Sequence, residues 1–547
     1  MLVNINTSTS LQMHDSNLAI EKVPIEKLDI FVREGQGLIV EICNNGDIDA
    51  ENIKLNIDIE TDKFVIIPKK NYEIPFLAAG QSTEVHIVIF GFSSKFLFDY
   101  PLVTIKVISP IIKTFWKILS VDIFGLRTKI IEELSSSDEP YEGYTLFDPE
   151  YSKFIYLIDM DGKIVYTWKS DYIQGFGTYL LENGELLRLD EFGSDTAFRA
   201  GGRAGRVEKF DKDSNLLWEF DYANNEHCSH HDIEPLPNGN ILIIAWESKT
   251  KEDAISAGRN PNRLRSDTIW PDHIIEVEPV GSTGGNIAWE WHVWDHLIQD
   301  YDSTKNNYGV VKEHPELIDL NFGNTNSDWN HINAVDYNQD FDQILLSVHN
   351  FNEIWVIDHS TTTEEATGHS GGNSGKGGDI LYRWGNPQAY DAGDLKDQQF
   401  FGQHGANWID EGCPGEGNIL VFNNGNQGRR YSSVDEIVPP VDNNGNYEYH
   451  DGEAYGPNES TWIYTAEYPS DMFSQTLSNA MRLPNGNTFI CSANQGLILE
   501  VTHEKKVVWE YQYKNILPNN TGNTIGRAER YPLDYPGIPK VKNVYQK

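Results

Sequence analysis

Cysteine is scarce in this chain, with four residues in 547. Cys43, Cys228, Cys413 and Cys491 are widely separated, and none belongs to a Cys-x-x-Cys pair. Disulfide frameworks and cysteine-ligated zinc sites both need cysteines in closer or paired spacing. The sequence therefore indicates neither, and it leaves the redox compartment open.

Positive charge is also in short supply. The 43 lysines and arginines are outnumbered by 82 aspartates and glutamates, which gives a formal net charge of −39. Nucleic acids and anionic membranes are bound through basic surfaces that displace counterions. We therefore expect no nucleic-acid partner and no binding to an anionic membrane surface.

Long hydrophobic runs are missing as well. The most apolar stretch, residues 107–126, is interrupted by Lys113, Lys117 and Asp122. A transmembrane helix needs about 20 predominantly apolar residues, so we expect no membrane span. The N-terminal residues MLVNINTSTSLQMHDSN also lack the basic and then apolar pattern of a signal peptide.

Alternating side chains are abundant near the N-terminus. Apolar and polar residues alternate strictly from residue 53 to 60, and turn sequences such as NNGDIDA separate the runs. Several short alternating strands predict an immunoglobulin-like β-sandwich over residues 28–110. We expect residues 1–27 to form an N-terminal arm, residues 111–140 to form a linker with a short helix, and the sandwich to pair two copies in a homodimer.

A repeat begins beyond the predicted linker. The segment SHHDIEPLPNGNILIIAW, residues 229–246, reads as a short strand, an Asn-Gly turn and a second strand. The same pattern occurs five times with one register. Seven residues before each turn the chain carries, in order, Phe176, His231, His331, His404 and Ser478.

Each repeat continues with two further strands, the second of which ends in an aromatic residue, as in residues 205–222 and 496–513. A four-stranded antiparallel unit repeated in this way is a propeller blade. Five full blades follow an incomplete one at 143–169, whose missing inner strand we expect from the tail at 524–533. The sequence thus predicts an all-β fold, with a six-bladed β-propeller over residues 141–547 that its C-terminal tail closes.

Three insertions interrupt the blades, at residues 247–271, 292–328 and 363–379. Long loops inside compact repeats usually carry function. We expect several of them to cover one mouth of the central channel.

The shared register predicts a ring of side chains. Inner strands line the channel of a propeller, so equivalent residues lie at one depth, and His231, His331 and His404 should face one another. His230 should then point away. Because alternate residues of a strand share a face, Asn333 should lie beside His331. Further candidates are Gln403, His349, Asn350, Ser478 and, if the tail closes the ring, Arg527 and Arg530.

Three imidazoles in a ring support two kinds of chemistry. Their neutral nitrogens can bind a metal ion. Alternatively, they can surround a tetrahedral anion, with one histidine attacking as a nucleophile while the others donate hydrogen bonds. No Asp or Glu lies within two positions of His331 or His404, which favours the anion. A non-catalytic scaffold or binding protein of the same fold is the third interpretation.

Several segments resemble one enzyme family. Residues 143–168 (GYTLFDPEYSKFIYLIDMDGKIVYTW), the repeated LPNGN, DWNHINAV at 328–335 and QHGANW at 403–408 are similar to bacterial aryl-sulfate sulfotransferases. This family works without a nucleotide sulfate donor. The resemblance covers about residues 140–533, and the N-terminal sandwich is also similar to one that the family carries.

The resemblance implies a function. Enzymes of this family move a sulfuryl group from a phenolic sulfate ester to a phenol by a ping-pong mechanism through a sulfohistidine. By match of motifs, His404 is the nucleophile, and His231, His331 and Asn333 bind the sulfuryl group. The resemblance also implies that no cofactor is needed and that the protein is periplasmic or extracellular.

One position departs from the family. The family has an arginine in a Ser-Arg-His context after the His-x-Asn strand, whereas this chain has Ser347, Val348 and His349. Loss of one donor at a developing anion typically costs about 10²- to 10³-fold in rate. His349 or an arginine of the tail is the expected substitute. The family's short-range disulfide also has no counterpart, because Cys413 has no near partner in sequence.

Overall fold

The computed structural model describes residues 28–44, 49–60, 64–92, 102–108, 115–134, 139–193, 196–426, 428–514 and 522–539. The chain divides into two compact units, Met1–Glu132 and Glu133–Lys547. The arm predicted at residues 1–27 lies outside the described residues. The first described strand begins at Leu28.

The first unit is built of strands whose alternate side chains are buried. In order of the chain the strands are β1 (Leu28–Asn44), β2 (Ala50–Glu60), β3 (Val65–Ile66), β4 (Asn71–Leu77), β5 (Ser82–Ile87), β6 (Phe90–Phe92), β7 (Leu102–Ile108), β8 (Phe115–Gly125) and β9 (Arg127–Leu134). Hydrogen bonds join them in the order β4-β2-β7-β8-β9-β1-β5, and the β3–β6 pair attaches through β8. Ile53, Leu55 and Ile57 point into the core from β2. The two-layered sandwich itself stays a prediction.

Residues 111–140, predicted as a linker with a short helix, contain two β-strands instead. Residues 115–134 form β8 and β9, and residues 115–120 of β8 pair with β7. The physical reason is the alternation of Leu119, Val121 and Ile123, which buries one face of β8. Asp122, between Val121 and Ile123, belongs to the other, less buried face of the strand and does not mark a boundary between domains.

The second unit contains four-stranded antiparallel sheets. Its strands begin with β10 (Gly143–Pro149), β11 (Phe154–Ile158), β12 (Ile164–Lys169), β13 (Gln174–Leu180), β14 (Leu186–Glu191), β15 (Gly205–Phe210), β16 (Leu216–Asp221), β17 (His227–Pro235), β18 (Ile241–Glu247), β19 (Lys249–Thr250), β20 (Thr268–Ile269), β21 (Asp272–Pro279), β22 (Gly285–His292), β23 (Leu297–Ile298) and β24 (Ile318–Asp319). They continue with β25 (Ile332–Asn338), β26 (Gln343–Val348), β27 (Glu353–Asp358), β28 (Tyr382–Trp384), β29 (His404–Trp408), β30 (Ile419–Asn423), β31 (Ser433–Ile437), β32 (Trp462–Tyr464), β33 (Asn479–Arg482), β34 (Thr488–Ser492), β35 (Leu497–Val501), β36 (Val507–Gln512) and β37 (Ile525–Pro532).

Within the described residues these strands make six four-stranded sheets. Their orders are β37-β10-β11-β12, β13-β14-β15-β16, β17-β18-β21-β22, β25-β26-β27-β28, β29-β30-β31-β32 and β33-β34-β35-β36. The tail, expected from the sequence to supply the missing inner strand of the first repeat, holds β37, which pairs antiparallel with β10.

The inner strands contact one another in a closed cycle. In the order β37, β13, β17, β25, β29 and β33, each contacts the next, and β33 contacts β37 again. This is the arrangement of a β-propeller, so the all-β propeller prediction is confirmed. The edge of each sheet that faces away from the cycle carries the aromatic residues noted in the repeat.

The insertions are folded. Residues 247–271 contain β19, β20 and the helix α1 (Lys251–Ala257), and residues 292–328 contain β23 and β24, which pair in parallel. Residues 363–379 contain the short helix α2 (Thr363–Ala366) and a glycine-rich loop. Short 3-10 turns occur at Pro261–Arg263, Val293–Asp295, Val311–Glu313, His349–Phe351, Pro387–Tyr390, Pro469–Met472 and Ala493–Gln495. Among the described helices none is long and apolar enough to cross a membrane.

A histidine cluster as candidate active site

The inner strands share a backbone irregularity at the register found in the sequence. The φ angle is 86° at Phe176, 60° at His231, 59° at His331 and 85° at Ser478, and Gly405 next to His404 has 58°. Strand pairing shifts at this level in β13, β17, β25 and β29. Left-handed backbone at a non-glycine residue costs roughly 1–3 kcal/mol and concentrates at functional sites. The repeat therefore holds strain at one level of the channel.

That level brings four imidazoles together. Ring centroids are 4.4 Å apart for His231 and His331, 5.1 Å for His331 and His349, and 5.3 Å for His349 and His404. The ring of Phe176 lies 6.4 Å from that of His231. A narrow cavity beside these rings is lined by Phe176, His231, Asn333, His404, Ser478 and Arg527.

His404 is held in one tautomer. Its Nδ1 lies 2.9 Å from Asn424 Oδ1 and 3.2 Å from the Gly402 carbonyl oxygen. Asn424 is oriented in turn because its Nδ2 donates to the carbonyls of Ser474 and Leu477. Both partners of Nδ1 only accept, so Nδ1 carries the proton and Nε2 carries the lone pair. Burial, and then the neighbouring imidazoles, lower the pKa of His404 well below its ordinary value, which keeps the ring neutral.

The pKa of His331 is shifted in the opposite direction to that of His404. Its Nδ1 lies 2.5 Å from Asp328 Oδ2. Burial lowers the pKa of His331, but the Asp328 carboxylate outweighs burial and raises the pKa above its ordinary value. The cluster thus places one ring with a raised pKa among rings whose pKa values are lowered.

His230 belongs to the cluster, although the strand alternation predicts that it points away. Its Nδ1 lies 2.8 Å from the Nδ1 of His231, its ring stacks on Trp246 at 3.8 Å, and its Nε2 is 2.9 Å from Asp272 Oδ1. The positive φ at His231 breaks the alternation and turns two consecutive imidazoles toward each other. Burial lowers the pKa of both histidines well below the ordinary value and raises that of Asp272.

The remaining predicted residues differ in their positions. Asn333 lines the cavity and donates through Nδ2 to the Gln403 carbonyl at 2.8 Å. Gln403 is fully buried, and its own Nε2 donates to the Glu353 carbonyl at 2.8 Å, which gives it a structural role behind the cavity. Ser478 lines the cavity while its hydroxyl accepts from the Ala493 amide at 2.9 Å.

Of the two tail arginines, only Arg527 lines the cavity. Its guanidinium contacts Asp232 Oδ2 at 3.1 Å and the Tyr179 hydroxyl at 2.7 Å. Arg530 is turned elsewhere, donating to the Tyr141 carbonyl at 2.8 Å and stacking over Trp509. Burial raises the pKa of Asp232 to about 6, and Arg527 opposes that rise.

A model of the family described as Arylsulfotransferase (ASST) matches residues 129–521. The chain belongs to this family. The match covers most of the second unit and all of the histidine cluster.

A search of curated proteins gave no match. Solved structures with some likeness include a protein of unknown function from Bacteroides caccae, with 12% identity, a TM-score of 0.39 and coverage of 71% of this chain and 98% of the other. A putative 6-phosphogluconolactonase from Bacteroides fragilis has 10% identity, a TM-score of 0.36 and coverage of 71% and 98%. Virginiamycin B lyase from Staphylococcus aureus has 11% identity, a TM-score of 0.33 and coverage of 70% and 87%.

The position where the arylsulfotransferase resemblance calls for an arginine is occupied by Val348. This side chain is fully buried in the hydrophobic core of the second unit. The next residue, His349, lies between His331 and His404, and its Nδ1 is 2.9 Å from Asn350 Oδ1. Burial, and then the charge of His331, lower the pKa of His349 to about 4. His349 is thus a neutral neighbour and does not replace a cation.

Three residues of the cluster were not candidates from the sequence: Asp272, Asp328 and Asn424. Asp328 is the one with a local signal, because it opens the DWNHINAV segment three residues before His331. Asp272 and Asn424 lie in β21 and directly after β30, and pairing within the sheets brings them to the histidines. The spacing of these residues along the chain does not indicate that they contact the histidines.

Proposed function

We propose that this arylsulfotransferase-family protein transfers a sulfuryl group from an aryl sulfate ester to a phenolic acceptor through a sulfohistidine at His404. Aryl sulfate transfer is the activity after which the family is named. The observation that carries the proposal is the fixed tautomer of His404, whose unprotonated Nε2 belongs to a neutral ring at the cavity.

In the first half-reaction, Nε2 of His404 attacks the sulfur of the ester. An N–S bond forms while the S–O bond to the aryl group breaks, and the phenolate leaves with the electron pair. The new positive charge on the imidazole is shared with Nδ1–H, which Asn424 and Gly402 hold by hydrogen bonds. Asn424 thus acts as a positioning residue.

The non-bridging sulfuryl oxygens carry the negative charge. In this proposal they are bound by the ring of His331, which lies 4.4 Å from that of His231, and by the amide of Asn333 at the cavity. Preorganised donors of this kind supply a large part of catalysis. In this proposal His331, charged through Asp328, provides the positive charge that the family's arginine would supply.

In the second half-reaction, a phenol loses its proton and attacks sulfur, and the N–S bond to His404 breaks. In this proposal the hydrogen-bonded pair of His231 and His230 is the path by which a proton reaches or leaves the cavity, and the Asp272 carboxyl lies 2.9 Å from His230 Nε2. The acceptor becomes the new sulfate ester, and His404 returns to its neutral form.

Two broader parts of the proposal come from the family or the sequence. A periplasmic or extracellular location follows from family membership. Dimerisation through the first unit stays a prediction from its strand pattern.

A metal centre in the same ring is less well supported. Among the described residues, the group of three histidine, cysteine or acidic side chains whose ligand atoms converge within 4.8 Å is His296, His369 and Asp379. The imidazoles around the cavity are spread more widely, as a cradle for a tetrahedral group requires.

The test is chromophore release from a nitrophenyl sulfate in the presence of phenol. We expect His404→Asn to lower the rate by at least about 10³-fold, since loss of a nucleophile removes the whole covalent pathway. His450→Ala, at a side chain that is 68% exposed, is the control and should match the wild type. Without acceptor, the intact wild-type chain should gain the mass of one SO3 group on His404. Equal release by His404→Asn would show that the proposal is wrong.

A further inference from the structure

We propose that His296, His369 and Asp379 form a metal site that fastens the glycine-rich insertion to the neighbouring sheet. His296 lies in the 3-10 turn region directly after β22, and the other two residues flank the loop that follows α2. None of these residues takes part in the proposed sulfuryl transfer, so the inference is independent of it.

The ligand atoms converge on one another. Asp379 Oδ1 is 2.9 Å from His296 Nδ1 and 2.7 Å from His369 Nδ1, and the three atoms all lie within 4.8 Å. Ligands at about 2.1 Å from a tetrahedral ion stand about 3.4 Å apart. Side-chain shifts of about half an ångström to one ångström therefore admit an ion among them.

The hydrogen bond on the far side of His296 orients the ring as in a metal-bound histidine. Its Nε2 lies 2.8 Å from the Ala366 carbonyl, which only accepts, so Nε2 carries a proton. Nδ1, on the other side of the ring, faces Asp379 Oδ1 at 2.9 Å. A histidine whose other nitrogen donates to a backbone carbonyl in this way is the usual form of a metal ligand.

The surroundings of the site are packed on one side and open on the other. His296 is fully buried against Trp291, whose indole donates to the Gly378 carbonyl at 2.7 Å. A Cβ at Gly378 would lie 2.1 Å from the Ala366 oxygen and 2.6 Å from His296 Nε2, so glycine alone fits there. His369 is 62% exposed and gives the ion a path to the site.

The donor set identifies the class of metal. Two imidazole nitrogens with one carboxylate oxygen suit zinc and similar divalent transition ions, whereas calcium and magnesium prefer oxygen ligands alone. One or more solvent positions complete the coordination. Because the ligands come from two separate insertions, bound metal should order the loop from residue 368 to 379.

The experiment titrates Zn²⁺ into chelator-treated full-length protein and follows binding by calorimetry. We expect about one equivalent at this site, with an affinity lowered by about 100-fold in His369→Ala. His369 is exposed, so the variant should fold, and its melting temperature in chelator should equal that of the wild type. His450→Ala should bind like the wild type, and Ca²⁺ should not replace Zn²⁺.

Hydrogen exchange gives a local readout. Zinc should slow amide exchange in residues 368–379 of the wild type and leave it unchanged in His369→Ala. Equal zinc affinity in the two proteins, or no zinc binding by the wild type, would overturn the inference. Loss of the ion in His404→Asn with retention in His369→Ala would do the same, because the ion would then belong to the histidine cluster.

Discussion

At the scale of single residues, the charge of His331 depends on Asp328. The carboxylate is 2.5 Å from the ring and raises its pKa, while burial lowers the pKa of His404. The proposed reaction needs His331 protonated and His404 neutral. Activity should therefore fall on the alkaline side as His331 loses its proton, and on the acid side as His404 gains one.

Replacing Asp328 by asparagine removes the main group that raises the pKa of His331 and leaves burial, which lowers it, opposed only by the smaller effect of Asp272. The alkaline limb of the pH profile for kcat/KM should move to lower pH, and the rate near pH 7.5 should fall by about 10²-fold, as for loss of one charged donor. Asp213→Asn, at an exposed carboxylate, is the control. An unshifted alkaline limb in Asp328→Asn would contradict the role given to His331.

The site residues that share the repeat register could be predicted from the sequence, and those outside that register could not. Counting back from each turn located His231, His331 and His404, because residues at equivalent positions of a repeat lie at the same depth in the channel. The partner that fixes the tautomer of His404 is Asn424, 20 residues away in the next strand segment. A hydrogen bond across a sheet leaves no period in the sequence, so only coordinates reveal it.

At the scale of elements, the bulge at His231 in β17 has a close contact from a neighbouring loop. The amide of His231 donates to the Gly202 carbonyl at 2.9 Å. Gly202 itself has a φ of 76°, and a Cβ there would lie 2.0 Å from Cε1 of His231. The loop before β15 therefore presses on the imidazole and sets its position at the cavity.

Gly202→Ala should displace either that loop or the His231 ring. We expect kcat/KM to fall at least about tenfold, and the free energy of unfolding to fall by about 1–3 kcal/mol from strain at a positive φ. Gly201→Ala is a closely matched control, because no atom lies within 4 Å of a Cβ at that position. The measurements are nitrophenyl sulfate kinetics and chemical denaturation. If Gly201→Ala and Gly202→Ala had the same kcat/KM and the same free energy of unfolding, the loop before β15 would not position His231.

Alternating patterns predicted most strands and misplaced one boundary. Residues 205–222, 154–168 and 496–513 form the paired strands that their patterns indicate. Residues 115–134 were predicted as linker because charged residues interrupt an apolar run, although the same residues alternate as a strand. A half-buried strand and an interrupted hydrophobic segment have the same composition, and only pairing with β7 distinguishes them.

At the scale of the whole second unit, hydrogen bonds from aromatic residues of the outer strands link each sheet to the next. They follow the same cyclic order as the contacts between the inner strands. The indole of a tryptophan in an outer strand donates to the following sheet in Trp218 to Gly284, Trp289 to Thr361, Trp384 to Pro457, Trp462 to His503 and Trp509 to Met160. In the first sheet, the Tyr166 hydroxyl donates to the Lys212 carbonyl. The aromatic residue that ends each repeat thus links neighbouring sheets.

Closure of the cycle joins the two ends of the unit, and one asparagine spans the junction. Asn479 of β33 donates through Nδ2 to the Ala528 carbonyl of β37 at 2.9 Å and accepts from the Ala528 amide at 3.2 Å. The sequence predicted that a tail strand completes the first sheet. It could not identify this junction, because the two residues are 49 positions apart and share no repeat register.

Asn479→Ala should weaken the junction without changing any sheet. Two buried backbone groups lose their partners, at a cost of about 1–3 kcal/mol each in the free energy of unfolding. Asn479→Asp keeps the size and one acceptor but loses the donor, so it should also destabilise. Asn458→Ala, at an exposed side chain, should leave stability unchanged. Denaturant unfolding measures all three. If Asn479→Ala were as stable as the wild type, the cycle would be held closed by strand pairing of β37 with β10 and not by this contact between sheets.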